Sequence, residues 1–174
     1  MKKPKDLTVK KILIDMDNTL FDFDGAITSD NLILDPPEMY KEGFFENLQP
    51  LPGARVAIAS LQRCGLYDVY ICTKPLSSSL ISYSEKARSI AKHFPTLINK
   101  IIMTQNKGMI KADILIDDDK SNIKAFEGEG FHFKHTESET EWEKIIMVLL
   151  DDEDRKSTRL NSSHSQQSRM PSSA

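Results

Sequence analysis

Two aspartates stand directly after an apolar run near the start of this 174-residue chain. The run Ile12–Ile14 is followed by Asp15 and, two positions later, by Asp17. Carboxylates held close together raise one another's pKa, so such a pair needs a bound cation or a reaction that uses it. Asp15 could attack phosphorus to form an aspartyl-phosphate, a recognised form of covalent catalysis. Asp17 could donate and accept the protons of the same reaction.

Further polar residues follow other apolar segments of the chain. Thr73 ends the segment DVYICT, Lys107 follows KIIMT, and Asp117 and Asp118 follow ADILI. Carboxylates together with substrate oxygens are ligands that Mg²⁺ prefers. A lysine and a hydroxyl can bind the charge of a phosphate. These residue types therefore predict a magnesium and phosphate site.

Apolar periodicity divides the chain into alternating strands and helices. The predicted strands comprise residues 9–14, 68–73, 100–104 and 112–116, with a weaker strand at 131–134. The first predicted helix has an apolar face of Val56, Ile58, Ala59 and Leu61 and stops near Gly65. A helix at 79–94 has an apolar face of Leu80, Tyr83, Ala87, Ile90 and Ala91, and further helices are predicted at 122–127 and 139–150.

This alternation predicts the fold class. Strands that are apolar on both faces indicate a parallel sheet covered by helices on both sides, a three-layer Rossmann-like α/β architecture. Ligands of such sheets bind at the carboxyl ends of the strands, where the polar residues are predicted to lie. Residues 1–155 are expected to form one domain, with a short cap inserted at about 24–47.

Composition narrows the partners. A formal net charge of −3 argues against binding a nucleic acid polymer. Two cysteines make no disulfide framework, and no apolar run has the length of a membrane span. The expected location is the cytoplasm, and the sequence is compatible with a homodimer. Residues 156–174 include seven serines among nineteen positions, which is typical of a disordered or non-native tail.

The ordered motifs resemble those of the haloacid dehalogenase-like phosphatases. The matching residues, in order, are Asp15-Met16-Asp17-Asn18-Thr19, Thr73, Lys107 and Asp117-Asp118. The blocks FFENLQPLPGA, DVYICTKPL, EKARSIAKHF and KADILIDD are similar to those of the 5'(3')-deoxyribonucleotidases within that superfamily. The resemblance covers roughly residues 11–150.

The resemblance implies a magnesium-dependent phosphomonoesterase for nucleoside monophosphates, with pyrimidine deoxyribonucleotides favoured. It makes Asp15 the nucleophile and Asp17 the acid and base. It also implies that magnesium binds Asp15, the backbone carbonyl of Asp17, Asp117 and Asp118. The residues implied in phosphate and substrate binding are Thr73, Lys74, Lys107, Phe23 and Phe45.

Departures from the family pattern leave alternatives open. Lys74 and Asn106 stand where the nucleotidases have Ser and Asp, and the cap is shorter than in the animal enzymes. A phosphatase for another small ester, such as a sugar phosphate, is therefore the second hypothesis. A catalytically inactive binding protein on the same fold is the third.

Other acidic and aromatic residues have structural interpretations. Asp22 and Asp24 are expected to be loop carboxylates, and Asp119 is expected to cap a helix. Phe44 and Phe45 could equally belong to the core or to a pocket wall. A receiver domain of a signalling system also combines Asp, Thr and Lys. That class is disfavoured because its acidic pair precedes the rest, whereas here the lysine precedes the pair.

Overall fold

The computed structural model describes residues 8–28 and 36–151 of the chain. The predicted tail at 156–174 and part of the predicted cap, residues 29–35, lie outside these ranges. In the part of the chain that the structure describes, no helix has both the length and the apolar character needed to cross a membrane.

The centre of the fold is a five-stranded sheet in which every pairing is parallel. The spatial order of the strands is β3-β2-β1-β4-β5. Their bounds are β1 Lys10–Ile14, β2 Tyr67–Thr73, β3 Ile101–Met103, β4 Ile114–Asp117 and β5 Glu129–His132. The apolar residues Ile12–Ile14 of β1 and all four residues of β4 are buried, as expected for strands covered on both faces. The predicted α/β fold class is confirmed.

Four α-helices among the described residues connect or follow the strands. They are α1 Ala54–Arg63, α2 Leu80–His93, α3 Lys120–Ala125 and α4, residues 138–151. Gly53 precedes α1 with φ 83°, a left-handed conformation that favours glycine. A Cβ at this position would lie 3.1 Å from the Cα of Glu139, so glycine also lets the start of α1 approach α4 closely.

Alternating residues of each strand contribute to two apolar clusters. Ile12 and Ile14 belong to the larger cluster, which also contains residues of α1, α2 and α4. Leu13 belongs to the smaller cluster, which is completed by Phe126 just after α3. Because successive strand residues point to opposite faces, helices cover both sides of the sheet. In the larger cluster the Trp142 ring lies 4.8 Å from the ring of Phe133, measured between centroids.

The predicted apolar faces of the first two helices are only partly right: Ile58, Leu61 and Ile90 are buried, but other predicted residues are not. Val56 is 72% exposed and Ala59 is exposed, because α1 buries the set Ala54, Ala57, Ile58 and Leu61, which follows the i, i+3, i+4, i+7 spacing. In α2, Leu80 is 85% exposed. The buried face of α2 is largely polar and consists of Ser82, Glu85, Lys86, Ser89, Ile90 and His93.

Candidate active site

The carboxyl ends of three neighbouring strands bring the predicted site residues together. Asp15 follows β1, Thr73 ends β2 and Asp117 ends β4, and all three are buried. The backbone N–H of Asp15 donates to the carbonyl oxygen of Ile116 at 2.9 Å, which extends the pairing of β1 with β4 up to the site. The register of the sheet therefore fixes the separation of Asp15 and Asp117.

Lys107 provides a buried positive charge beside these carboxylates. Its ammonium group pairs with Oδ1 of Asp15 and with Oδ2 of Asp117, the latter at 2.6 Å. Burial alone would lower the pKa of Lys107, but the two carboxylates outweigh burial and raise the pKa, so the group stays protonated. The turn that carries Lys107 is capped by Asn106, whose Oδ1 accepts from the backbone N–H of Gly108 at 3.1 Å.

The carboxylates of Asp15, Asp117 and Asp118 form an acidic cluster in which ligand oxygens from all three lie within 4.8 Å of one another. Burial, reinforced by the neighbouring carboxylates, raises the pKa of Asp15 to about 6 despite the opposing effect of Lys107. Burial and the charges of Asp15 and Asp117 raise the pKa of Asp118 to about 7. Three carboxylates facing one ammonium group leave a deficit of positive charge. The all-oxygen donor set fits a hard divalent cation, which would remove that deficit.

Hydrogen bonds from α3, from β5 and from the backbone before α3 orient the acidic cluster. Nδ2 of Asn122 lies 3.0 and 3.1 Å from the two carboxylate oxygens of Asp117, and the backbone N–H of Asp119 donates to Oδ1 of Asp117 at 2.9 Å. Nε2 of His132 lies 2.9 Å from the backbone oxygen of Asp118. Asn122 was not predicted from the sequence, where its one signal is its position in the first turn of the helix after the acidic pair.

Asp17 lies outside this cluster and forms an ion pair with a different lysine, Lys86. The ammonium group of Lys86, on α2, pairs with Oδ2 of Asp17 and donates to Oγ1 of Thr73 at 3.1 Å. It also lies 4.6 Å from the centroid of the Phe45 ring. The sequence predicts that Thr73 binds phosphate, yet its side chain is fully buried and its hydroxyl accepts this bond from Lys86. Lys86 lies in the block EKARSIAKHF but in none of the four motifs, and sequence reasoning assigned it no role.

The loop after Asp17 is closed by two hydrogen bonds between the side chain of Asn18 and Asp24. Asn18 adopts a left-handed conformation with φ 53°, which Asn tolerates better than most residues. Its Nδ2 donates to Oδ1 of Asp24 at 2.9 Å, and its Oδ1 accepts from the backbone N–H of Asp24 at 3.0 Å. Oδ2 of Asp24 also lies 3.1 Å from Nε2 of His135, and Oδ1 of Asp22 accepts from the backbone N–H of Gly25. Asp22 and Asp24 are thus the loop carboxylates that the sequence predicts.

Three phenylalanines pack together beside the site. The Phe23 ring is stacked on that of Phe45 at a centroid distance of 6.2 Å, and Phe44 meets both rings edge-on at 5.5 and 5.1 Å. The sequence predicts that Phe23 and Phe45 contact the substrate. Phe23 lines the cleft, whereas Phe45 is 2% exposed, does not line it and belongs to the core. The Phe45 ring packs against the Phe23 ring and the Lys86 ammonium group instead of contacting the cleft.

These elements enclose a cleft of about 230 Å³. Its lining residues are Asp15, Asp17, Asn18, Phe23, Lys74, Lys107, Asp118, Asp119 and Asn122. The ammonium group of Lys74 lies 3.5 Å from Oδ2 of Asp119 at the more exposed side of the cleft. Asp119 also accepts from the backbone N–H of Ser121 at 2.8 Å, which confirms the prediction that it caps a helix. The cleft thus combines carboxylates for a cation with two lysines for an anionic ligand.

The sequence was compared with those of known proteins. Residues 38–145 match the family described as "5' nucleotidase, deoxy (Pyrimidine), cytosolic type C protein". This range contains Thr73, Lys107, Asp117 and Asp118 and begins after β1, so it does not include Asp15.

Individual relatives carry related names. The chain is 42% identical to the mitochondrial 5'(3')-deoxyribonucleotidase of Mus musculus over 79 residues, which are 45% of this chain and 36% of that protein. It is 38% identical to the cytosolic-type 5'(3')-deoxyribonucleotidase of Homo sapiens over 77 residues, which are 44% and 38% of the two chains. A Staphylococcus epidermidis protein named "Putative 5'(3')-deoxyribonucleotidase" is 28% identical over 170 residues, which are 80% of this chain and 92% of that protein.

The chain spans little more than a third of the length of the animal relatives it matches. The family match itself covers more than half of the chain and includes three of the four predicted motifs. The chain therefore belongs to the cytosolic type C family of 5' nucleotidases.

Proposed function

We propose that this protein is a magnesium-dependent phosphomonoesterase that hydrolyses nucleoside monophosphates, with pyrimidine deoxyribonucleotides favoured. The observation that carries the proposal is the convergence of Asp15, Lys107 and Asp118 on one cleft at the carboxyl ends of the strands. The buried Asp117 completes the acidic cluster and pairs with Lys107. The family match and the names of the relatives support the nucleotide as substrate.

Asp15 is the proposed nucleophile. A carboxylate oxygen of Asp15 attacks phosphorus, the ester P–O bond breaks, and the departing oxygen takes a proton from Asp17 to leave as the nucleoside hydroxyl. The product is an aspartyl-phosphate on Asp15. Because the pKa of Asp15 is raised to about 6, the attacking carboxylate is mostly ionised at neutral pH and remains more basic than an exposed aspartate.

A second displacement releases the phosphate. Water attacks the phosphorus of the aspartyl-phosphate, Asp17 takes up the proton of that water, and the Asp15 carboxylate is regenerated. Asp17 suits both transfers because it lines the cleft two residues from the nucleophile. Lys107 holds the Asp15 side chain in place, and Lys107 and Lys74 supply positive charge for the phosphoryl oxygens.

The acidic cluster has the oxygen ligands that suit magnesium. Asp15, Asp117, Asp118 and the backbone carbonyl of Asp17 are the proposed ligands, and the ion would neutralise charge on the phosphoryl group when bound. The raised pKa values of Asp15 and Asp118 support this assignment, because they reflect a cluster short of positive charge. Residues 1–155 are the proposed catalytic domain, and the cytoplasm is the proposed location.

Recognition of the nucleobase is assigned to Phe23. Stacking of a base on an aromatic ring contributes about 1–3 kcal/mol, which corresponds to about ten- to a hundredfold in selectivity. Phe23 is the one aromatic residue among the described residues that line the cleft. This limited aromatic wall favours a second candidate, a phosphatase for another small ester such as a sugar phosphate.

A substrate panel tests the proposal. Phosphate release is measured with deoxyribonucleotides, ribonucleotides and sugar phosphates, with Mg²⁺ and with a chelator. We expect Mg²⁺-dependent turnover and a higher kcat/KM for dUMP and dTMP than for sugar phosphates, with Phe23→Ala lowering that preference. Preference for sugar phosphates would replace the nucleotidase with the second candidate. Absence of Mg²⁺-dependent turnover with every ester would overturn the phosphatase itself.

A further inference from the structure

The buried face of α2 contains a lysine that the reaction scheme does not use. Lys86 is 1% exposed, and a buried ammonium group is stable only when its charge is compensated. Its partners are the carboxylate of Asp17, the hydroxyl of Thr73 and the face of the Phe45 ring. A fully buried positive charge is thus paired with Asp17, the residue proposed to transfer the proton.

Lys86 fixes the direction of the Asp17 side chain. It pairs with Oδ2, whereas Oδ1 of Asp17 is buried and has no hydrogen-bond partner among the described residues. The backbone around Asp17 is held separately, since the N–H of Asn18 donates to the carbonyl oxygen of Phe21 at 2.8 Å. The loop therefore sets where the Asp17 backbone lies, and Lys86 sets where its carboxylate points.

Lys86 is itself held rigidly by its neighbours. The preceding residue, Glu85, accepts from the backbone N–H groups of Gly43 and Phe45 at 2.5 and 3.1 Å. These bonds fix the segment that places the Phe45 ring against the ammonium group. Lys86 does not line the cleft, in contrast to Lys107 and Lys74. Its position suits it to act on the substrate through Asp17 rather than directly.

We propose that Lys86 is a positioning residue that holds the Asp17 carboxylate in the orientation needed for proton transfer to the leaving oxygen. This inference rests on the proposed phosphatase function and adds to it a residue outside the four motifs. It makes a specific demand: loss of Lys86 should matter most for esters whose leaving group must be protonated.

The test compares two leaving groups in the variant Lys86→Met. Methionine keeps the unbranched length of the side chain and packs well against an aromatic ring, so the core is preserved. The alkoxide leaving group of dUMP needs a proton, whereas the nitrophenolate of p-nitrophenyl phosphate leaves without one. The value of kcat/KM reports on events up to release of that group. We expect kcat/KM to fall about a hundredfold for dUMP and less than about tenfold for p-nitrophenyl phosphate.

Two further variants act as controls. Lys92→Met makes the same replacement on the exposed face of α2 and should leave both kcat/KM values unchanged. Lys86→Arg retains a positive charge and should recover most of the dUMP activity relative to Lys86→Met. If Lys86→Met does not fold, Lys86→Gln, which also lacks the positive charge, takes its place. A dUMP to p-nitrophenyl phosphate ratio further below wild type than that of Lys92→Met would then support the proposal.

Inhibition by inorganic phosphate separates positioning from direct binding. Because Lys86 does not line the cleft, its loss should change the inhibition constant for phosphate by less than about threefold. An equal fall in kcat/KM for the two esters, or a parallel weakening of phosphate inhibition, would overturn the positioning role. Absence of activity of the wild-type protein toward both esters would instead overturn the proposed function.

Discussion

Helices α1 and α2 both contact the larger apolar cluster, yet they bury opposite kinds of side chain. The buried residues of α1 are alanine, isoleucine and leucine, whereas those of α2 include Glu85, Lys86 and three other polar residues. Burying polar groups is unfavourable unless they find partners. Glu85 and Lys86 find them in the 43–45 segment and in Asp17. The difference shows that α1 serves packing, whereas α2 also serves the site.

The largest expected effect comes from the nucleophile itself. Asp15→Asn should lower kcat by at least about three orders of magnitude, because an amide cannot form the phosphoenzyme. Steady-state kinetics with dUMP would measure the loss, and circular dichroism would confirm the fold. Near-normal turnover of the folded variant would contradict the proposed reaction, and with it the role of Lys86 on α2 in that reaction.

A truncation on α1 should have the opposite signature. Leu61 is fully buried, and Leu61→Ala should lower the free energy of unfolding by about 2–5 kcal/mol through lost burial and a new cavity. The kcat of the protein that remains folded should stay within about twofold of wild type, since α1 provides no residue of the cleft. Urea unfolding and kinetics at low temperature test the two halves. A fall in kcat comparable to the fall in stability would contradict the division between the helices.

The acidic cluster predicts how pH acts on the metal-free protein. The pKa values of Asp15 and Asp118 are raised to about 6 and about 7, so the folded state binds protons more tightly than the unfolded state. Their contribution to the free energy of unfolding therefore falls as pH rises from about 4 to about 7. Asp68 and Asp119, whose pKa values are lowered, titrate below this window. Burial lowers the pKa of His93, which opposes the trend of the acidic cluster in the upper part of the window.

Thermal unfolding in a chelator should show this contribution as a Tm lowered by a few degrees as pH rises through the window. Added Mg²⁺ should raise Tm more at pH 8 than at pH 5, because protons and the cation compete for the same carboxylates. Asp118→Asn should weaken both effects. A Mg²⁺ shift of equal size at the two pH values would contradict the cluster as the binding site.

The smallest effect is expected on the exposed sides of the two helices. Val56 and Leu80 are 72% and 85% exposed, so Val56→Gln and Leu80→Gln should each change the free energy of unfolding by less than about 0.5 kcal/mol. Neither should change kcat. A loss above about 2 kcal/mol in either variant would mean that the side chain is buried in solution, for example against another copy of the chain.

Much of the site follows from the sequence because it depends on local patterns. An apolar strand followed by acidic residues is visible in the chain, and the parallel arrangement then brings Asp15, Thr73 and Asp117 to one edge of the sheet. Lys107 is visible because it follows the strand predicted at 100–104, whose carboxyl end faces the same site.

The rest depends on contacts between distant segments. Lys86 and Glu85 look like ordinary surface residues of a helix, and only their three-dimensional partners show that they are buried. Strand β5 begins two residues earlier than predicted, at Glu129. It lies at the edge of the sheet, where the exposed residues Glu129 and Gly130 pair with β4 and give no apolar signal.

The two attachments of the segment between Asp24 and Gly43 have an evolutionary consequence. At its beginning Asp24 is hydrogen-bonded to Asn18, and at its end the backbone N–H groups of Gly43 and Phe45 donate to Glu85. Loops fixed at both ends tolerate changes in length at modest entropic cost. Insertions or deletions between these attachments can therefore be accommodated while Asp15 and Asp17 stay in place. Such a scaffold lets a lineage change the length of this segment without moving the residues proposed to perform the reaction.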